Sequence, residues 1–253
     1  MELYFKTFGD GKPLIILHGL FGSSDNWLTH AKKLADYFKV YLVDLRNHGH
    51  SPWSDDFSYQ IMADDLHQLV TTEKLTDFIL MGHSMGGKTA MRYAQQHEEL
   101  LEKLIIVDMG VKEYPIHHDT ILEGLNSLDL SVIDTRSGAE EVLGKYIENL
   151  SIRQFLLKNL FWKEKGQLAW RINIPVLDRE MSEIVSALPF KEVFTETLFM
   201  RGGQSNYIRE EDENQILTYF PIAEIHTIER AGHWIHAEAP EEFIEEVLGF
   251  CVR

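Results

Sequence analysis

Phe78-Ile79-Leu80-Met81-Gly82-His83-Ser84-Met85-Gly86-Gly87-Lys88-Thr89 is the stretch on which the reading of this chain turns. Phe78–Met81 is a short apolar run, the pattern of a strand buried on both faces, and Met85–His97 has helical spacing. Between them, Gly82-His83-Ser84-Met85-Gly86 matches G-x-S-x-G, the turn that presents a nucleophilic serine between strand and helix. The flanking glycines let strand and helix approach closely. The amide after the serine, that of Met85, opens the helix and can donate to an oxyanion. A second pattern lies on the same residues. Gly82-x-x-x-x-Gly87-Lys88-Thr89 is a formal phosphate-loop match, and Leu104-Ile105-Ile106-Val107-Asp108 resembles a strand whose final Asp holds Mg²⁺. A serine hydrolase and a P-loop NTPase using Gly82–Thr89 both stay open at this point.

The surrounding chain places the motif in an α/β unit. Leu3–Phe8, Leu14–Leu17, Val40–Leu45 and Leu104–Val107 read as further strands, and Trp27–Phe38 and Tyr59–Thr71 as helices. Apolar strands separated by helices predict a mostly parallel central sheet flanked by helices. The alternation breaks after Val111. Residues 112–190 read as helices at Asp119–Leu128, Ala139–Asn149 and Ile152–Phe161, then an irregular run with Pro175 and Pro189. Strands resume at Thr197–Met200 and Glu224–Ile228. The expected organisation is a core of residues 1–111 and 191–253, divided by a helical insert after the Leu104–Val107 strand. Such an insert is either extra packing or a cap over the strand ends, where open α/β sheets bind ligands; a cap is favoured.

Three loops favour the hydrolase. His18-Gly19-Leu20-Phe21-Gly22 follows a strand and offers the Leu20 amide as second oxyanion donor, with His18 as a buried structural residue. Asp44-Leu45-Arg46-Asn47-His48-Gly49-His50-Ser51 follows the next strand, and Asp44 and Arg46 are expected to fix loops near the site. Ala231-Gly232-His233-Trp234 follows the last strand and can bring a histidine to Ser84. With these segments the chain resembles the α/β-hydrolase superfamily over nearly its whole length. DLRNHGHS, GHSMGGK and GHWIHAE are more specifically similar to the small bacterial serine esterases of the YbfF type. The resemblance implies the order Ser, acid, His, which suits Ser84 and His233. It makes the Walker-like spacing of Lys88 a coincidence.

The acid is the less legible member. After Thr197–Met200, where most of the superfamily has it, the chain runs Arg201-Gly202-Gly203-Gln204-Ser205, with a serine near the expected carboxylate. Asp108, at the end of the strand before the insert, is assigned instead, as the resemblance implies. Ser205 becomes a possible fourth member bonding to His233 or Asp108. Asp212, on a helix start expected to be solvated, is the second choice. No metal or organic cofactor is called for. His117-His118-Asp119 and His233/His236 lack a third ligand with usual spacing, and His236 is expected on a helix surface.

Substrate contacts are expected from Phe21, Phe155, Trp162 and Trp234. Ser151–Arg179 holds six Lys/Arg against Glu164 and Asp178. Arg153 and Lys158 in this span are candidates for an anionic substrate part such as an acyl-CoA phosphate, or else lie on solvated helix faces. The expected substrate is a small-molecule ester or thioester of short to medium acyl length. A non-catalytic ligand-binding version of the fold is a further alternative, disfavoured by the intact Ser, Asp and His. The formal charge of −16 argues against nucleic acid or an anionic membrane as partner. The apolar runs are too short to span a bilayer, Met1–Gly9 does not read as a signal peptide, and Cys251 is the single cysteine. A cytoplasmic protein is expected.

Overall fold

The computed structural model describes residues 1–116 and 118–252. Its first half alternates strand and helix: β1 Phe5–Phe8, β2 Pro13–Leu17, α1 Leu28–Leu34, β3 Lys39–Val43, α2 Tyr59–Thr72, β4 Phe78–His83, α3 Met85–His97 and β5 Leu101–Val107. Between β5 and the next core strand come α4 Asp119–Asn126, α5 Arg136–Leu143, α6 Leu150–Leu157, β6 Leu160–Glu164, β7 Gln167–Trp170, α7 Ile174–Arg179 and α8 Met181–Val185. The core resumes with β8 Glu196–Gly202, α9 Glu213–Tyr219, β9 Ala223–Ile228, α10 Ile235–Glu238 and α11 Pro240–Cys251.

Seven strands form one sheet in the order β1-β3-β2-β4-β5-β8-β9, parallel except for the antiparallel edge strand β1. Every residue of β4 is buried, as a central strand covered on both faces requires. One face packs with α2, α3 and the insert, and the other with α1 and α11. The chain winds outward from β2 in one direction and from β4 in the other. The loops after β2 and β4 therefore diverge at a switch point, where open sheets leave a crevice. Those loops are His18–Gly22 and the Ser84 turn.

The insert departs from the expectation at three points: the helix expected over Ala139–Asn149 is Arg136–Leu143, the run expected to be irregular forms α7 and α8, and a hairpin replaces the end of the third expected helix. The helix expected over Ile152–Phe161 stops at Leu157, and the chain turns into a two-stranded antiparallel hairpin, β6–β7, through Gly166 at φ 80°. Trp162 and Lys163 are exposed and Leu160 and Leu168 buried, so the hairpin packs by only part of one face. The insert is tied to the core at named points. Asn159 Nδ2 donates to Phe21 O (2.7 Å), and Asn173 N to Asn47 O (3.0 Å). Among the described residues no helix is long and apolar enough to cross a membrane.

Candidate active site

Ser84 is the only residue between the end of β4 and the start of α3, and it has φ 53° and ψ −120°. An L-residue pays sterically for that conformation, so it persists only where the packing over-determines it. Here the strand and helix are pressed together. A Cβ on Gly82 would lie 2.2 Å from Gly86 O, and one on Gly86 would lie 2.5 Å from His18 O. Those two glycines are the condition for the turn. As the first residue of α3, Met85 has an amide without an intrahelical acceptor, and the helix dipole adds positive potential there.

The end of β5 carries a second turn of this kind, with Asp108 at φ 47°. Asp108 is fully buried, and each carboxylate oxygen has donors. Gly202 N donates to Oδ1 (3.1 Å), while Oδ2 accepts from His233 Nδ1 (2.8 Å) and from the Ser205 hydroxyl. The proton on His233 Nδ1 leaves Nε2 as an unprotonated acceptor in the neutral ring. His233 and Ser84 line the same cavity. Asp212 is elsewhere. It is buried rather than solvated, accepts from Lys112 Nζ (2.5 Å) and Arg209 N (2.8 Å), and has no bond to His233.

Two histidines shape the loop that carries Leu20. His18 Nδ1 donates to Gly19 O (2.8 Å) and its Nε2 accepts from Leu45 N (3.0 Å). His48 Nδ1 donates to Arg46 O (2.9 Å) and its Nε2 accepts from Phe21 N (3.2 Å). Both must be neutral for this, and burial holds His18 down at about 4 and His48 at about 3. Asp44 accepts from Ser24 N and His50 N, and Arg46 is paired with Asp65, which places the DLRNHGHS segment in loop support.

Sequence reasoning missed three neighbours of this centre. His83 Nε2 donates to His233 O (2.9 Å), and burial lowers His83 to about 3. Tyr207 stacks on the His233 ring at 3.8 Å, and burial pushes its phenol up to about 12. Lys88, fully buried, donates to Lys112 O, Val185 O and Ser186 O, at the two ends of the insert. His83 and Lys88 were visible only as letters of the motif, and no local pattern marks Tyr207.

A cavity of about 310 Å³ opens over Ser84. Of the expected contacts, Phe21, Phe155 and Trp234 line it. Trp162 does not: it stands 50% exposed on the hairpin, whose inward positions are Leu160 and Leu168. Arg153 is also absent from the wall, its guanidinium held by Ile147 O, Glu148 O and Glu140. Lys158 borders an outer groove of about 600 Å³. His236 overturns its assignment to the helix surface. It is 6% exposed and stacks on Trp27 at 4.2 Å, because α10 turns this face inward. His117 lies outside the described residues. Among those described, no group of three His, Cys, Asp or Glu is arranged to hold a metal ion.

The phosphate-loop pattern has no counterpart in this geometry. A single residue separates β4 from α3, too short a turn to wrap a phosphate, and the Lys88 ammonium is spent on carbonyls. Both oxygens of the Asp108 carboxylate accept from protein donors, Gly202 N, His233 Nδ1 and the Ser205 hydroxyl.

Residues 12–142 match the model of a family described as the alpha/beta hydrolase fold. The chain belongs to the α/β-hydrolase family. It is 37% identical to a putative esterase/lipase of Haemophilus influenzae, over 94% of this chain and 82% of that protein. It is 33% identical to the esterase YbfF of Escherichia coli, over 94% and 92% of the two chains. Among solved structures, a marine microorganism esterase superposes with a TM-score of 0.96 at 43% identity, covering 98% of this chain and 99% of that one. This α/β-hydrolase is thus of the esterase/lipase type.

Proposed function

We propose that the protein hydrolyses carboxylic esters through an acyl-enzyme on Ser84, with His233 as general base and acid and Asp108 as the orienting carboxylate. The observation that carries this reading is the Asp108–His233 bond, which directs an unprotonated Nε2 into the cavity that also holds Ser84. His233 takes the Ser84 proton as Oγ attacks the acyl carbon. The Leu20 and Met85 amides bind the oxyanion. His233 then protonates the leaving oxygen, and water repeats the sequence on the acyl-enzyme. Ser205 acts on Asp108, to which its hydroxyl donates, as a fourth member of the chain of bonds. Residues 112–190 serve as a cap, since Ile121, Ile152, Phe155 and Leu156 form part of the cavity wall.

Thioesters fit the same chemistry, but an acyl-CoA is the weaker candidate. Only Lys158 of the two proposed phosphate contacts borders the outer groove, with Glu238 on the same groove. Uncharged esters are therefore favoured.

Incubation with a fluorophosphonate, peptide mapping of the adduct, and p-nitrophenyl butyrate turnover test the assignment together. The expected adduct is on Ser84, and Ser84→Ala abolishes both labelling and turnover. Absence of an adduct on Ser84 with retained turnover in Ser84→Ala overturns it.

A further inference from the structure

Two cavities meet at Ser84, and they differ greatly in size. The larger, about 310 Å³, has His233, Trp234, His83 and Phe155 in its wall. It shares Asn26, Phe155, Trp234 and His236 with the outer groove, so room continues outward. The smaller, about 20 Å³, lies on the Met85 side, walled by Tyr59, Met109, Tyr114, Ile184 and Val185. His233 is in the first wall and not in the second.

A tetrahedral intermediate on Ser84 has four substituents with separate destinations. One is Ser84 Oγ. The oxyanion lies toward the Leu20 and Met85 amides. The leaving oxygen must be within reach of His233, which protonates it as the C–O bond breaks. The acyl substituent takes the remaining direction. Only the larger cavity offers His233, so the alcohol occupies it and the acyl chain points into the smaller one. At about 20 Å³ against about 310 Å³, the smaller cavity has room for only a short acyl group beyond the carbonyl carbon.

The small cavity is also stiff. Tyr59 Oη donates to Ile184 O (2.6 Å), and Lys88 Nζ donates to Val185 O (3.2 Å). Tyr114 Oη accepts from Gly110 N (2.7 Å) and donates to Tyr207 O (2.8 Å). Four of these five wall residues are therefore held by polar bonds that a longer acyl chain would have to break.

Resting on the serine-esterase reading above, we propose that the natural substrates are short-acyl esters, acetate or near it, of bulky apolar alcohols. Ile184 and Met109 set the acyl limit. Water releases the short acid from Ser84 after the free alcohol has left through the outer groove.

Two ester series test this with purified protein. In the first, octyl esters carry acetyl, butyryl, hexanoyl or octanoyl groups. In the second, acetates carry ethyl, butyl or octyl alcohols. The expected kcat/KM falls at least about tenfold from acetyl to hexanoyl and rises along the alcohol series. Ile184→Ala, or Met109→Ala should the first variant misfold, narrows the acetyl-to-hexanoyl ratio by at least threefold. Equal or better turnover of hexanoyl or octanoyl esters overturns the proposal, as does an unchanged ratio in a folded variant. Fluorophosphonate labelling of Ser84 in the same preparation separates the two readings. Labelling with long-acyl preference defeats only the cavity assignment, whereas no labelling and no turnover of any ester defeats the hydrolase reading and this one with it.

Discussion

At the scale of single residues, Asp108 decides the polarity of His233. Its Oδ2 accepts the Nδ1 proton, and an amide in its place would present two donors as readily as an acceptor and favour the wrong tautomer. Asp108→Asn is therefore expected to lower kcat for p-nitrophenyl butyrate by about 10³- to 10⁴-fold. Asp212→Asn, which loosens the bonds to Arg209 and Lys112, is expected to keep most activity and to lose about 1 kcal/mol of stability. Steady-state rates and urea unfolding of both variants check this, and retained turnover in Asp108→Asn with loss in Asp212→Asn would reverse the assignment. Ser84 was readable because it directly follows a strand inside a recognisable motif, and His233 because its loop follows β9, whereas Asp108, though directly after β5, was reached only through the family resemblance. Tyr207 and His236 were not readable, because stacking on His233 and Trp27 depends on where distant loops come together.

At the scale of elements, the contact between β4, α3 and the end of β2 is closed by glycine. Gly86→Ala would put a methyl 2.5 Å from His18 O and 2.6 Å from Leu17 O, both backbone atoms that cannot step aside. The expected result is a loss of about 3 kcal/mol or more, read as a lower urea midpoint or failure to obtain folded protein. Gly249→Ala in α11 is the contrasting case. Among the described residues nothing outside its own helix backbone lies within 4 Å of the added methyl, and a gain of about 0.5–1 kcal/mol is expected from helix propensity. Lys88 belongs to this scale as well, since it joins the two ends of the insert to α3. Lys88→Met is expected to raise amide hydrogen exchange around residues 112 and 185–186 while Ser84 still labels; unchanged exchange there would show that the lysine does not hold the insert. The hairpin β6–β7 shows where element reading failed. A short apolar run such as Leu160–Trp162 is ambiguous between helix and strand by periodicity alone. Gly166, at positive φ in the turn, was the signal that separated the two.

At the scale of the whole molecule, the buried histidines predict acid sensitivity. His18, His48 and His83 are lowered from 6.5 to between about 3 and 4, mainly by burial, and His236 is lowered well below 6.5 for the same reason. Between pH 6.5 and 4 the unfolded chain binds protons that the folded chain refuses, so stability is full above 6.5 and falls as pH drops. The urea midpoint is expected to decline steeply from pH 6.5 to 4.5, with a shallower decline in His48→Gln, which removes one of these groups. A midpoint constant over that range would contradict the neutral assignment. The charge is also unevenly distributed along the chain: Glu210–Glu246 has eleven acids against Arg230, whereas Ser151–Arg179 is basic. Folding disperses that basic island. Arg153 is turned onto carbonyls and Glu140, Arg171 lies over the Phe161 ring, and Arg179 pairs with Glu180.

By itself the sequence determined the order of strands and helices in the core, the point where the insert interrupts it, and the loops that carry Ser84 and His233. These are local properties, since apolar runs, glycine pairs and loop motifs are written within a few residues of one another. Only the tertiary structure decided which carboxylate meets His233, which aromatic side chains face Ser84, and how unequally the space around it is divided. Those depend on the packing of segments far apart in the chain, such as α8 against α3 and the Tyr207 loop against His233, and a close-packed interior leaves the size of a cavity to the sum of all its walls.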